Sequence, residues 1–142
     1  MSGGSLSIED GFIDGNETYT SGWGGGLYMD GGSCTMTGGT IGNEGKPNKA
    51  TMGAGVFVTN ASFIFRGGKI WNNTTLADNT ANGAGVYIIG VGLTTTFSMP
   101  AGSTGQISRN TITRAGSAEG GGAGLCVYGG SAQVTLYGGT IG

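Results

Sequence analysis

Histidine is absent from this 142-residue chain, and only 10% of its residues are charged. The first absence removes the commonest general base and the commonest zinc ligand. The second leaves six basic residues against eight acidic ones, a net charge of −2, and no cationic stripe for nucleic acid or anionic lipid. Cysteine is scarce as well. Two residues without a CxxC pair exclude a disulfide scaffold and a zinc ribbon. No apolar run reaches the roughly eighteen residues of a membrane helix, so no membrane insertion is expected. The opening Met1-Ser2-Gly3-Gly4 has neither the basic n-region nor the apolar h-region of a signal peptide. What abounds is glycine, with 34 residues. Because the net charge is small, the pairing of low hydrophobicity with high charge that marks disorder is missing. A single folded domain over residues 1–142 is the expectation.

Internal repetition organises the chain. The pattern Gly-(Gly/Ala)-Gly-(Leu/Val) starts at Gly24, Gly53, Gly83 and Gly122, recurring after 29, 30 and 39 residues. A second pattern interleaves with it: two apolar residues at i and i+2, then an isoleucine. It reads Leu6/Ile8 with Ile13, Cys34/Met36 with Ile41, Phe63/Phe65 with Ile70, Phe97/Met99 with Ile107, and Val134/Leu136 with Ile141. The apolar residues alternate with period two in segments of about four to six residues, and glycine disfavours helix by about 1 kcal/mol per residue, so these segments predict short strands.

Three short strands recur in each copy of roughly 29 residues. A coil resting on its neighbour, about 4.8 Å per step, explains why like residues recur in register. The fold class expected is all-β, a right-handed parallel β-helix of about five coils resembling the pectate-lyase solenoid. The inward columns would be Gly25, Ala54, Ala84 and Ala123; Leu27, Val56, Val86 and Leu125; Met29, Val58, Ile88 and Val127; Ile8, Met36, Phe65, Met99 and Leu136; and Ile13, Ile41, Ile70, Ile107 and Ile141. No charge falls in any of them, as burial of an unpaired charge demands.

Segments such as Gly24-Gly25-Gly26-Leu27-Tyr28-Met29 and Cys34-Thr35-Met36-Thr37-Gly38-Gly39-Thr40-Ile41-Gly42-Asn43 resemble the repeats of bacterial surface β-helix proteins, adhesin-like proteins and polymorphic outer-membrane autotransporter passengers among them. Gly121-Gly122-Ala123-Gly124-Leu125 is similar to their GGAI motif. Where that group has FxxN, this chain has Ile13-Asp14-Gly15-Asn16, Ile70-Trp71-Asn72-Asn73 and Ile107-Ser108-Arg109-Asn110, with Asn43 in the second copy. The resemblance implies a stretch of a long extracellular or cell-surface rod, structural or adhesive, with host or cell-surface glycans or proteins as partners. The chain stops at Gly139-Thr140-Ile141-Gly142 on an inward isoleucine, so a fragment, or a unit that self-associates end to end through uncapped coils, is expected.

Catalysis is not expected, and neither a cofactor nor a metal is implied. Some parallel β-helices are pectate lyases and polygalacturonases, and sugar hydrolysis needs two carboxylates about 5 to 9.5 Å apart. Asp30 aligns instead with Thr59, Ile89 and Tyr128, while Glu9, Asp10 and Asp14 meet Thr37, Gly38 and Gly42 in the next copy. A carbohydrate-active or carbohydrate-binding β-helix with its site partly outside the chain is the alternative. Candidate binding residues are Tyr28, Phe57 and Tyr87, an outward column continued by Cys126. Rings stacked at one-coil spacing form either a flat platform for sugar or a ladder that steadies the sheet. The longest insertions fall at one corner and carry Glu17, Glu44, Lys46, Lys49, Asp78, Arg109, Arg114 and Glu119 on or beside them, a second place for binding. An ice-binding array is disfavoured because the Thr35-Met36-Thr37 triplet is succeeded by Ile64-Phe65-Arg66 and Ser98-Met99-Pro100. Cys34 inward and Cys126 outward, about 14 Å apart by coil spacing, are too distant for a disulfide.

Overall fold

A computed structural model describes residues 1–19, 21–114 and 121–142; Glu119 lies outside the described residues. Strands numbered in chain order fall into four sheets, every pairing parallel: three of four or five strands and one of two strands at the inserted corner. The first orders β1 (Ser5–Ile8), β4 (Ser33–Met36), β8 (Ser62–Phe65), β12 (Thr95–Met99) and β15 (Ala132–Leu136). The second orders β3 (Leu27–Asp30), β7 (Val56–Thr59), β11 (Val86–Ile89) and β14 (Leu125–Tyr128). The third orders β2 (Phe12–Ile13), β5 (Thr40–Ile41), β9 (Lys69–Trp71), β13 (Gln106–Ser108) and β16 (Thr140–Ile141). The described residues contain no helix. Each strand therefore pairs with its equivalent one repeat away, an all-β arrangement compatible with a solenoid.

The register places the isoleucines in one column: Ile13 pairs with Ile41, Ile41 with Ile70, Ile70 with Ile107, and Ile107 with Ile141. Ile41, Ile70 and Ile107 are fully buried. Leu27, Val56, Val86 and Leu125 stand in line likewise, as do Met29, Val58, Ile88 and Val127. In the first sheet Ile8, Met36 and Phe65 align, and Met99 meets Leu136. Beside them runs Leu6, Cys34, Phe63, Phe97 and Val134. Phe63 and Phe65 lie 6.0 Å apart, and Phe63 and Phe97 5.6 Å, inside the core. At the last repeat Val127, Leu136 and Ile141 keep their columns but are 46%, 48% and 39% exposed, because no strand lies beyond them.

A chain of asparagines runs through this stack. The Nδ2 of Asn16 donates to Asn48 Oδ1, that of Asn48 to Asn73 Oδ1, and that of Asn73 to Asn110 Oδ1, each at 3.0 Å. The same amides also reach back to strand ends: Asn48 donates to Ile13 O, Asn73 to Ile41 O and Asn110 to Ile70 O. Asn48 and Asn73 are fully buried, and each tiles onto the next because an amide both donates and accepts. The asparagine expected in the second repeat is corrected here. Asn43 instead donates to Asp14 Oδ2 at 3.3 Å near the surface, and Asn48 takes the ladder position. Three ladder asparagines follow their isoleucine by three residues, whereas Asn48 follows Ile41 by seven, so four inserted residues hide it.

The next repeat's backbone and this ladder together explain the last glycine of the Gly-(Gly/Ala)-Gly motif: a Cβ on Gly26, Gly55 or Gly85 would come closest to the carbonyl oxygen of Gly55, Gly85 or Gly124, at 2.7, 2.5 and 2.5 Å. A Cβ on Gly55 would lie 2.8 Å from Asn73 Nδ2 and 2.9 Å from Ile70 Cγ2. Gly26 and Gly85 stand in the same relation to Asn48 with Ile41 and to Asn110 with Ile107. The inserted corner is also ordered coil on coil. β6 (Lys49–Ala50) pairs with β10 (Thr74–Thr75), and bridges join Glu17 to Lys49, Trp23 to Met52, Met52 to Asn82, and Thr74 to Thr111. Three strands per repeat are thus supplemented by a short fourth ladder.

Candidate functional site

The outward column forms as the alternation of the strands requires: Tyr28 pairs with Phe57, Phe57 with Tyr87, and Tyr87 with Cys126. Ring centroids lie 5.4 Å apart for Tyr28 and Phe57 and 5.5 Å for Phe57 and Tyr87, stacked within 20°. As an open platform, however, the column needs correction. Phe57 is 2% exposed and Tyr87 5%. The chain entering each of these strands folds back over the strand's outward side, so that Cβ atoms built on Gly24, Gly53 and Gly83 would lie 2.8 to 2.9 Å from those of Tyr28, Phe57 and Tyr87. The Trp23 indole stacks on Phe57 at 5.2 Å and lies 6.5 Å from Tyr28. Two of the three candidate rings are therefore walled off from a sugar, and the accessible aromatic surface here is Trp23 with part of Tyr28. Desolvation raises the Tyr28 hydroxyl above its ordinary pKa, helped by the Asp30 charge. Desolvation also raises that of Tyr87, with Cys126 and Tyr128 adding to it. Both phenols stay neutral at physiological pH.

Several carboxylates are engaged by neighbouring donors. Asp30 pairs in register with Thr59 and accepts from Asn60 Nδ2 at 2.9 Å. Asp14 accepts from Asn43, and Glu17 is bound to Lys49 Nζ at 3.2 Å. Asp78 accepts from the backbone and hydroxyl of Thr80, both at 2.7 Å, which lowers its pKa and closes a turn. An open groove of about 470 Å³ runs between Asp14, Glu17, Lys46 and Lys49, at the corner where the charged insertions fall. Among the described residues no three histidine, cysteine or acidic side chains converge at metal-binding distance. Both cysteines are free. Cys34 is fully buried on the first sheet and Cys126 half-buried on the second.

One feature of the third sheet went unread in the sequence. Lys69 and Trp71 flank buried Ile70 on β9, so both point outward. Lys69 Nζ lies 5.1 Å from the Trp71 ring centroid and Arg109 Cζ 5.8 Å. The signal was weak: a lone Trp71 in a motif position otherwise filled by Asp14 and Ser108. No known protein family, curated protein or solved structure matches the chain.

Proposed function

We propose that the chain is a right-handed parallel β-helix acting as a rigid structural and adhesive segment of a bacterial cell-surface or secreted protein, without catalytic activity of its own. The observation that carries this reading is the asparagine ladder from Asn16 to Asn110, buried at Asn48 and Asn73, which ties successive repeats together along the stack. Three parallel sheets joined by such a ladder make a stiff support, and variable surface groups on a stiff support are how adhesive surfaces are built. The test presents the immobilised chain with neutral and acidic polysaccharides and extracellular matrix proteins. Saturable binding without release of soluble sugar is expected; sugar release overturns the reading.

A second reading, end-to-end assembly, is favoured by the outermost strands β14, β15 and β16. Between Gly121 and Gly142 no residue is charged, and Tyr128, Leu136 and Tyr137 are 60%, 48% and 76% exposed. An uncharged sheet edge accepts another strand layer. Sedimentation over a hundredfold concentration range would show growth along one axis, and a strict monomer would exclude it.

A further inference from the structure

We propose that Trp71, Lys69 and Arg109 form a binding platform for an anionic saccharide. The proposal deepens the adhesive reading by naming its ligand class, and rests on it. The platform lies on the outward side of the third sheet, where Trp71 is flanked by polar side chains; the sheet's other large outward ring, Phe12, stands two repeats away, across Thr40 from Lys69. Thr40 and Gln106 flank Lys69 in register, and Ser108 flanks Trp71. On the opposite side stands Gly42, on which any Cβ would strike the Trp71 carbonyl. Trp71 is half-buried, and where its ring reaches the surface it offers a sugar an apolar face beside hydroxyl and amide groups.

The charges define the ligand. Lys69 and Arg109 are exposed, and the only ion pair among the described residues is Lys49 with Glu17 elsewhere. Two of the chain's six cations thus converge over one ring with no carboxylate paired to either, in a protein of net charge −2. Cation–π attraction at an exposed site is weak, so the long side chains swing aside to admit a sugar while their heads meet its carboxylate or sulfate. An isolated pair of cations on an otherwise acidic chain does not suit nucleic acid, which needs a basic stripe.

The backbone conformation of Arg109 is consistent with this. Arg109 has φ of 54°. The equivalent residues are Gly15 and Asn72, the types that tolerate this conformation, whereas arginine has neither glycine's freedom nor asparagine's local hydrogen bond. Strain of this kind clusters at binding and switch sites, although Ser21, with φ of 67°, shows it elsewhere in this chain. The same turn brings Arg109 onto Trp71. The Trp71 Nε1 is buried with no hydrogen-bond partner, so no hydrogen bond of its own explains where the ring sits.

The test titrates the full chain by calorimetry at low ionic strength with four probes: a hyaluronan oligosaccharide carrying carboxylates only, a chondroitin sulfate oligosaccharide carrying sulfates as well, neutral dextran, and polyglutamate. Saturable binding to at least one anionic sugar, with none to dextran or polyglutamate, is expected, and the stronger of the two names the anion. Trp71→Ala weakens it more than tenfold with an unchanged circular dichroism spectrum. Lys69→Gln and Arg109→Gln each weaken it about fivefold and flatten its salt dependence. Arg109→Gly separates site from fold: it raises the melting temperature by about 4 °C by relieving the turn, yet binds more weakly. Binding that survives Trp71→Ala, or equal binding to polyglutamate, overturns the platform while leaving the adhesive reading intact. Failure to bind anything, here and in the wider panel above, overturns both.

Discussion

Replacing Asn73 by alanine tests the feature on which the stack depends. The Asn73 side chain is fully buried and makes three hydrogen bonds: Nδ2 to Ile41 O and to Asn110 Oδ1, and Oδ1 from Asn48 Nδ2, all at 3.0 Å. Each is worth about 1 kcal/mol net, and stripping partners from buried groups adds to that, so Asn73→Ala should cost about 3–4 kcal/mol. Against a total stability on the order of 10 kcal/mol for a chain of this size, this is a large fraction. With a urea slope of about 2 kcal/mol per molar, the unfolding midpoint should fall by about 1.5–2 M in a circular dichroism titration. Two controls sharpen the expectation. Asn16 ends the ladder in an exposed position with side-chain donations at 3.0 and 3.2 Å, so Asn16→Ala should cost no more than about 1 kcal/mol. Asn43→Ala, outside the ladder, should be close to neutral. An Asn73→Ala midpoint within experimental error of Asn16→Ala would refute the claim that the ladder holds the repeats together.

Gly55→Ala places a methyl against the Gly85 carbonyl oxygen as well as Asn73 and Ile70 and should destabilise by about 1–3 kcal/mol, whereas Gly45→Ala, with open space around it, should be neutral or slightly stabilising; thermal melts compare them. Phe57→Ala removes a ring packed among Trp23, Tyr28 and Tyr87 and should cost about 3–5 kcal/mol, while leaving anionic-sugar binding by the folded fraction unchanged in the calorimeter. Burial pushes the Cys34 thiol from an ordinary 9.0 up to about 11. The folded chain therefore keeps this proton where the unfolded chain releases it. That contribution is intact below pH 9.0 and is lost as pH rises through about 11, roughly 2–3 kcal/mol in all. Urea titrations across that window should show a steeper loss in the native chain than in Cys34→Ala, and parallel slopes would refute the assignment.

Several parts of this architecture can be read from residue order, and others cannot. The isoleucine column is legible because five isoleucines recur at the same place in an interleaved pattern, and a parallel stack sets like on like. The glycine motif is legible as a repeat, but its reason is not: only in three dimensions does Gly55 meet the Asn73 amide. Asn48 escapes the pattern because four extra residues separate it from Ile41. The aromatic column is correct in its register and misread in its exposure, because whether Phe57 faces water depends on how the preceding segment folds back. The Lys69–Trp71–Arg109 group joins residues from neighbouring repeats, 38 or more positions apart for Arg109, and so leaves no local motif.

By itself the sequence determined the repeat, the strand character of its segments and which side of each strand is apolar, since all three follow from spacing and side-chain type within a few residues. Only the tertiary structure decided which outward groups are covered, where the ladder asparagines lie, and which cations share a tryptophan. Those are relations between successive repeats and their corners, and insertions of unequal length shift them without disturbing the apolar columns beneath.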